Sequence, residues 1–230
     1  MKILAVDTSA VCASVAVTED DKIISLCQTN AGLTHSRTLL PMIDAALQNS
    51  ETDLDSIDLF AVSQGPGSFT GIRIGIAAIK GLCDAKGKRC LPVSTLEGLS
   101  LNLLGQDVIA CCVMDARCKQ VYTALFDIEG EKITRLCEDK AISIEELGKE
   151  LSAYKKKIVF VGDGAEICHS SLGYDMAPPV LRYQNAASVA FAAKRKYDRD
   201  GICVPAGDVM PVYLRLPQAE RELKAKKAGR

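Results

Sequence analysis

At the start of the chain, apolar residues follow the two-residue period and short unbroken runs of β-strands. Ile3–Val6 is a buried run, Ser14–Val17 alternates, and Ile23–Cys27 follows the acidic turn Glu19-Asp20-Asp21, which predicts three strands. From Thr34, a potential N-cap, to about Leu47 the spacing becomes helical. Pro41 lies inside this stretch and has no amide proton, so the helix is predicted to start near it or to kink there. Ile57–Ser63 reads as a strand, the loop Gln64–Gly71 follows, and a helix of small residues is predicted from about Ile72 to Ala85. Leu91-Pro92-Val93 is a short strand. Ser94-Thr95-Leu96-Glu97 has the form of a capping box that opens another helix.

The same order then recurs. Val108–Met114 is a buried strand ending at Asp115, and Gln120–Phe126 and Lys132–Cys137 read as two more. Ser143–Tyr154 is helical, Ile158–Val161 is a strand that runs into Gly162-Asp163-Gly164, and Ala187–Tyr197 is helical. Ala5-Val6-Asp7-Thr8-Ser9 and Val113-Met114-Asp115-Ala116-Arg117 both place an acid at the end of an apolar strand, before a tight turn. Two βββαβα halves predict a duplicated α/β protein with a boundary near Gly105. Its lobes would be 1–105 and 106–216, with a basic tail at 217–230. Arg221–Arg230 holds five basic residues against the single acid Glu222, which suits a solvated end or a tail reaching toward RNA.

Composition narrows the function classes. With 230 residues the chain can bury a sizeable core without disulfides or metals. Lys plus Arg number 28 against 29 for Asp plus Glu, which excludes a broadly basic surface that grips nucleic acid by counterion release. Aromatic residues are 5% with no Trp, too few for base-stacking platforms. The ten cysteines are dispersed and never form Cys-x-x-Cys, so they read as structural thiols of a reducing compartment, not as zinc or redox pairs. With only His35 and His169, no site of two or three neighbouring His ligands can be built. No apolar run approaches the ~18 residues of a membrane span. Met1 to Asp7 meets an acid too early for a signal-peptide core. The expected location is cytoplasmic, without membrane contact.

The run Gly65-Pro66-Gly67-Ser68-Phe69-Thr70-Gly71 carries the most chemistry. Glycines between a buried strand and a helix expose backbone N–H groups, which suits a phosphate or carboxylate. Close strand-to-helix packing explains the same residues equally well. The run is neither a P-loop nor Gly-x-Gly-x-x-Gly. In the helix after it, Ile72, Ile76, Ile79 and Cys83 form one apolar face, and Ile74, Ala77, Ala78, Gly81 and Ala85 form a second. A helix apolar on both sides needs a cover on both, from within the chain or from a partner.

The residues just quoted, with Asp7-Thr8-Ser9, Thr34-His35-Ser36-Arg37 through Leu40-Pro41, Ile72-Arg73-Ile74-Gly75, Val93-Ser94-Thr95-Leu96, Met114-Asp115-Ala116-Arg117, Val121-Tyr122 and Pro211-Val212-Tyr213-Leu214-Arg215, resemble the TsaB (YeaZ) family, from the first residues to about Leu216. The resemblance implies a duplicated actin/hexokinase/Hsp70-like (ASKHA, RNase H-like) α/β fold, catalogued with the M22 glycoprotease-like proteins. It also implies a part in making threonylcarbamoyladenosine at position 37 of tRNAs that read ANN codons. In that system the paralogue TsaD transfers the group, TsaE is an associated ATPase, and the TsaB subunit is TsaD's partner.

Departures from the paralogue assign the role. TsaD carries a metal-binding His-x-x-x-His within Asn-His-x-Glu-Gly-His, and the matching stretch here is Ser94-Thr95-Leu96-Glu97-Gly98-Leu99. Thr95 and Leu99 stand where the histidines would be, and Glu97 alone cannot hold a catalytic metal. Actin-like kinases follow the first acid with a glycine-rich turn, whereas Asp7 is followed by Thr8-Ser9-Ala10-Val11. The expectation is therefore a non-catalytic scaffold with no metal and no cofactor of its own. It would bind TsaD with TsaE, meet tRNA through that complex, and form a homodimer when alone. A nucleotide at a subunit interface is compatible with the family and is not predicted for the isolated chain. The expected interface is His35, Leu39, Leu40 and Ile43 with Ile74, Ala77, Ala78 and Gly81. A vestigial nucleotide or anion site is expected at Asp7, Thr8, Ser9, Gly65, Gly67, Ser68 and Thr70. The alternative is a nucleotide-dependent enzyme of the same fold or an M22-type glycopeptidase.

Overall fold

Alternation along each central strand decides the layering. In a computed structural model that describes residues 1–215, the first sheet takes β1 (Lys2–Asp7), β2 (Ala13–Glu19), β3 (Lys22–Thr29), β4 (Leu59–Gly65) and β5 (Cys90–Ser94). Its order is β3-β2-β1-β4-β5, with β1–β2 and β2–β3 antiparallel and β1–β4 and β4–β5 parallel. The second sheet takes β6 (Asp107–Asp115), β7 (Gln120–Glu129), β8 (Lys132–Arg135), β9 (Lys140–Ser143), β10 (Ile158–Val161) and β11 (Asp175–Met176). Its order β11-β10-β6-β7-β8, with β9 also on β7, repeats the first sheet strand for strand. This is the duplicated α/β fold that the recurring pattern implied.

The helices are α1 (His35–Asn49), α2 (Phe69–Lys86), α3 (Thr95–Ser100), α4 (Ile144–Leu151), α5 (Ala165–Leu172), α6 (Pro179–Arg182) and α7 (Ala186–Asp200). Leu4, Val6, Val15, Val17, Phe60 and Val62 point from the first sheet toward α1 and α2. Their neighbours Ile3, Ala5, Ala16, Leu59 and Ala61 point the other way, onto α7. All strands of the first sheet precede residue 105 and all strands of the second follow it, yet α7, from the second half, covers the first sheet. Its alanines (Ala186, Ala187, Ala190, Ala193) let the helix lie close on the strands. In the second sheet one face packs on α3 through Leu96 and Leu99, and the other on α4 and α5 through Leu147, Leu151 and Cys168.

Several boundaries differ from expectation. Helix α1 begins at His35 and runs through Pro41, because the six residues before Pro41 already bury Leu39 against the sheet. Thr34 occupies the N-cap without a side-chain bond. Helix α2 begins at Phe69, since the Ser68 hydroxyl accepts the Gly71 N–H at 3.2 Å, and it ends on left-handed Gly87. The Ser143/Glu146 capping box that starts α4 is complete. That of α3 is half made, because the Glu97 carboxylate turns to Arg135. The short elements β9, β11, α5 and α6 were not anticipated, since a few residues carry too little periodicity to register. Among the described residues no helix is long and apolar enough to cross a membrane. The basic tail at 217–230 lies outside the described residues.

Candidate functional site

The site begins with the turn after β1. Asp7 is buried, and its carboxylate accepts the Ser9 N–H (2.8 Å), the Ser9 hydroxyl (2.6 Å) and the Ser63 hydroxyl (2.6 Å). Burial pushes its carboxyl above the usual range, and the two serines act against that shift. With its lone pairs directed inward, Asp7 braces the turn and does not line the cleft. The Thr8 hydroxyl donates to the Gly71 carbonyl at 2.7 Å, and the Ser68 N–H donates to the Ser9 carbonyl at 2.6 Å. A Cβ on Gly71 would lie 2.0 Å from the Thr8 carbonyl oxygen, and one on Gly67 (φ +156°) 2.3 Å from that of Ser9.

The glycine-rich run is therefore a packing device in which the start of α2 is pressed onto the β1–β2 turn. Of the two readings the sequence left open for this run, close packing accounts for Gly65, Gly67 and Gly71. Gly65 (φ +119°) takes the same role against the Val212 carbonyl, 2.5 Å from where its Cβ would stand. Ser9, Gly67 and Ser68 reach the cleft, Thr8 lies beneath them, and Thr70 is exposed on the first turn of α2.

A cleft of about 470 Å³ opens between the halves, within the size range of small-molecule sites. Ser9, Ser68 and His35 line one wall, Asp115, Arg117, Tyr122 and Asp163 the other, and residues Val212 to Arg215 cross its mouth. Asp163 follows β10 just as Gln64 and Gly65 close β4, and Gly162 is tightly placed in turn, with a Cβ position 2.1 Å from the Val113 carbonyl. Burial pushes the Asp163 carboxyl up to about 6. The Gln184 N–H donated at 2.8 Å opposes this, and the neighbouring charges of Asp115 and Asp7 add to it. Gln184, itself 1% exposed, also offers its backbone carbonyl to Gln28 at 3.2 Å and so ties the second half to the first.

Among the described residues, neither histidine is bonded to a hydroxyl or a thiol. His35 donates its Nε2 proton to the Ala10 carbonyl at 2.7 Å, and its Nδ1 is buried without a partner among the described residues. The Ser9 hydroxyl is spent on Asp7. His169 sits elsewhere, bonded through Nδ1 to the Tyr174 carbonyl. On the second wall Asp115 accepts the Arg117 N–H at 2.7 Å and holds a turn in which Arg117, Cys118 and Lys119 are all left-handed (φ +65°, +55°, +56°).

Among the described residues, no three His, Cys, Asp or Glu side chains are grouped to hold a metal ion. Leu99 is packed among the second sheet's apolar residues, and Thr95 is fully buried with an unpartnered hydroxyl. Glu97 faces Arg135 at 3.7 Å. Arg135 binds Asp139 at 2.6 Å and lies 4.6 Å from the centre of the Phe126 ring. Asp139 in turn accepts the Ser94 hydroxyl at 2.5 Å. One cation, Arg135, thus stands between two carboxylates, Glu97 of the first half and Asp139 of the second.

The expected interface is brought onto one side of the molecule, with a correction. Leu39 and Ile43 are 1% and 2% exposed and belong to the chain's own core, because α1 lays the stripe Leu39, Ile43, Ala46 on the sheet. Leu40, one position around the helix, is 55% exposed. On α2, Ile72, Ile76, Ile79 and Cys83 are buried, Ala77 and Gly81 are exposed, and Ile74, Ala78 and His35 are half-buried. The second apolar face of α2 thus has no cover within the described residues beyond its edges.

Residues 29–221 match the family described as TsaD: tRNA N6-adenosine threonylcarbamoyltransferase. The chain is similar to the tRNA threonylcarbamoyladenosine biosynthesis protein TsaB of Bacillus subtilis (26% identical, 96% of each chain). It is similar also to that of Buchnera aphidicola subsp. Schizaphis graminum (34% identical, 81% of this chain and 90% of the relative). Among solved structures, a Pseudomonas aeruginosa protein described as similar to peptidase YeaZ superposes with a TM-score of 0.80 at 25% identity, over 93% of this chain and 99% of that one.

Proposed function

The chain belongs to the tRNA N6-adenosine threonylcarbamoyltransferase family, in its TsaB branch, and on that premise we propose that it is a non-catalytic subunit in tRNA threonylcarbamoyladenosine biosynthesis. It binds TsaD, in an assembly with TsaE, and supports threonylcarbamoyl transfer to adenosine 37 of ANN-decoding tRNAs. The observation that carries this reading is the placement of Thr95, Glu97 and Leu99. Leu99 is core, Thr95 is buried, and Glu97 answers Arg135, so the ligand set that a transferase of this family would use is missing.

The exposed face of α2 with Leu40 of α1 is the docking surface. Ala77, Ala78 and Gly81 leave room for another helix to approach its backbone, and the same face pairs two copies of the chain when TsaD is absent. The tRNA is met through the complex, and the chain holds no cofactor of its own.

The test reconstitutes threonylcarbamoyl transfer with TsaD and TsaE, with this chain present, omitted, or carrying Gly81→Asp. A Cβ at Gly81 meets nothing within 4 Å, so the variant folds and changes only the face. Transfer that requires the wild-type chain and falls at least tenfold with Gly81→Asp is expected. Transfer that proceeds equally without the chain overturns the role. Full support by Gly81→Asp overturns the docking surface.

A further inference from the structure

We infer that the segment Val209–Arg215 is a clasp that couples the N-terminal end of α2 to the strained turn on the second wall of the cleft. The chain that leads into it leaves α7 along β5, where Cys90 and Val204 exchange backbone bonds at 2.9 and 3.1 Å. It then passes the flank of α2, where Lys80 donates to the Gly207 carbonyl at 3.0 Å. Beyond Val209 it forms neither helix nor strand, yet its residues grip both halves.

On the first half the grip is threefold. The Val212 N–H donates to the Gln64 carbonyl at 2.8 Å, and the Val212 carbonyl lies over Gly65, which only a residue without Cβ permits. The Tyr213 ring stacks on Phe69 with centroids 4.2 Å apart and planes 25° from parallel. The Arg73 Nε–H donates to the Tyr213 hydroxyl at 2.8 Å while its guanidinium lies 3.9 Å from the Phe69 centroid. Two residues later the grip passes to the second half. The Arg215 guanidinium donates to the Ala116 carbonyl and, at 3.4 Å, to that of Arg117.

Those two carbonyls open the run of three left-handed residues, Arg117 to Lys119, none of them glycine. Such a backbone persists where its surroundings over-determine it. Asp115 holds it from inside the turn, through the Arg117 N–H, and Arg215 holds it from across the cleft. Arg117, Tyr213 and Arg215 line the same cleft, so movement of Phe69 or Arg73 reaches the turn through a path of three residues. On the subunit reading above, a partner that engages α2 acts on the cleft by this path, and the clasp itself exists whether or not that reading holds.

Hydrogen exchange of the full chain, read by mass spectrometry, tests the coupling without any partner. The reporters are the Ala116 N–H, bonded to the Gln120 carbonyl at 3.0 Å, and the Gln120 N–H, bonded to that of Arg117 at 3.1 Å. Arg215→Ala is expected to speed exchange over residues 116–121 at least tenfold while β1 and β2 keep wild-type rates. Tyr213→Ala touches Phe69 and Arg73 of the first half and is expected to speed the same residues at least threefold. Tyr213→Phe keeps the stack and serves where the alanine variant unfolds. It is expected to speed them about twofold. Wild-type exchange at residues 116–121 in folded Tyr213 variants overturns the coupling, and wild-type exchange there in Arg215→Ala overturns the clasp.

Discussion

Replacing Asp163 by Asn removes a charge that the fold holds at a cost. The carboxamide oxygen still accepts the Gln184 N–H, so the 2.8 Å bond is kept and only ionisation is lost. With its carboxyl pushed to about 6 against an ordinary 3.8, the native state binds this proton more tightly than the unfolded chain does. Stability from this group is full below the unfolded value and declines as pH rises through the native one. At ~1.36 kcal/mol per pH unit, the wild type has lost about 3 kcal/mol at pH 7.5 and about 1 kcal/mol at pH 4.5. Asp163→Asn is free of that loss. Its advantage over the wild type should shrink by about 2 kcal/mol between those two pH values, whatever constant difference the amide itself adds. Urea unfolding of both proteins at pH 7.5 and 4.5 reads that difference directly. An advantage independent of pH, or one that grows on acidification, would refute the reasoning, because it would mean that Asp163 is solvated or paired in the native state.

Gly71→Ala forces a methyl to 2.0 Å from the Thr8 carbonyl and should cost about 3 kcal/mol or more, whereas Gly81→Ala meets nothing and should gain about 0.5–1 kcal/mol. Thermal unfolding of the pair checks this, and equal effects would show that the β1–β2 turn yields to α2. Arg135→Ala removes the cation between Asp139 and Glu97 and its stacking on Phe126, leaving Asp139, whose side chain is 15% exposed, with only the Ser94 hydroxyl. A loss of about 1–3 kcal/mol in urea unfolding is expected, and a neutral result would mean that the two halves are not latched there.

Much of the fold was legible because alternation and helical spacing are local. The runs at Ile3–Val6 and Val108–Met114, the Ser143 cap and the two faces of α2 could be read residue by residue. The site was less legible. Gly65, Gly67 and Gly71 look alike in a string whether they cradle a ligand or admit another backbone. Only the Thr8, Ser9 and Val212 carbonyls lying against them distinguish the two. The same limit misplaced Leu39 and Ile43, since periodicity marks a buried side and does not say whether this chain or another buries it. For Gln184 and Tyr213 the sequence carried no signal beyond the family pattern around Tyr213, because their partners are far away along the chain.

By itself the sequence determined the duplicated α/β order of elements, the acids at the two strand ends, and the residues Thr95, Glu97 and Leu99 by which the resemblance set this chain apart from the paralogue. Each is a property of residues next to or a few positions from one another, where backbone geometry and side-chain chemistry leave little freedom. Tertiary structure alone decided that α7 crosses to the first sheet, that Asp7 turns inward while Asp163 lines a cleft, and that Val212 to Arg215 join the halves. These depend on contacts between residues far apart along the chain, 172 positions for Ser14 with Ala186 and 140 for Arg73 with Tyr213. Such contacts are selected by shape and desolvation once the chain has collapsed, and no local period records them.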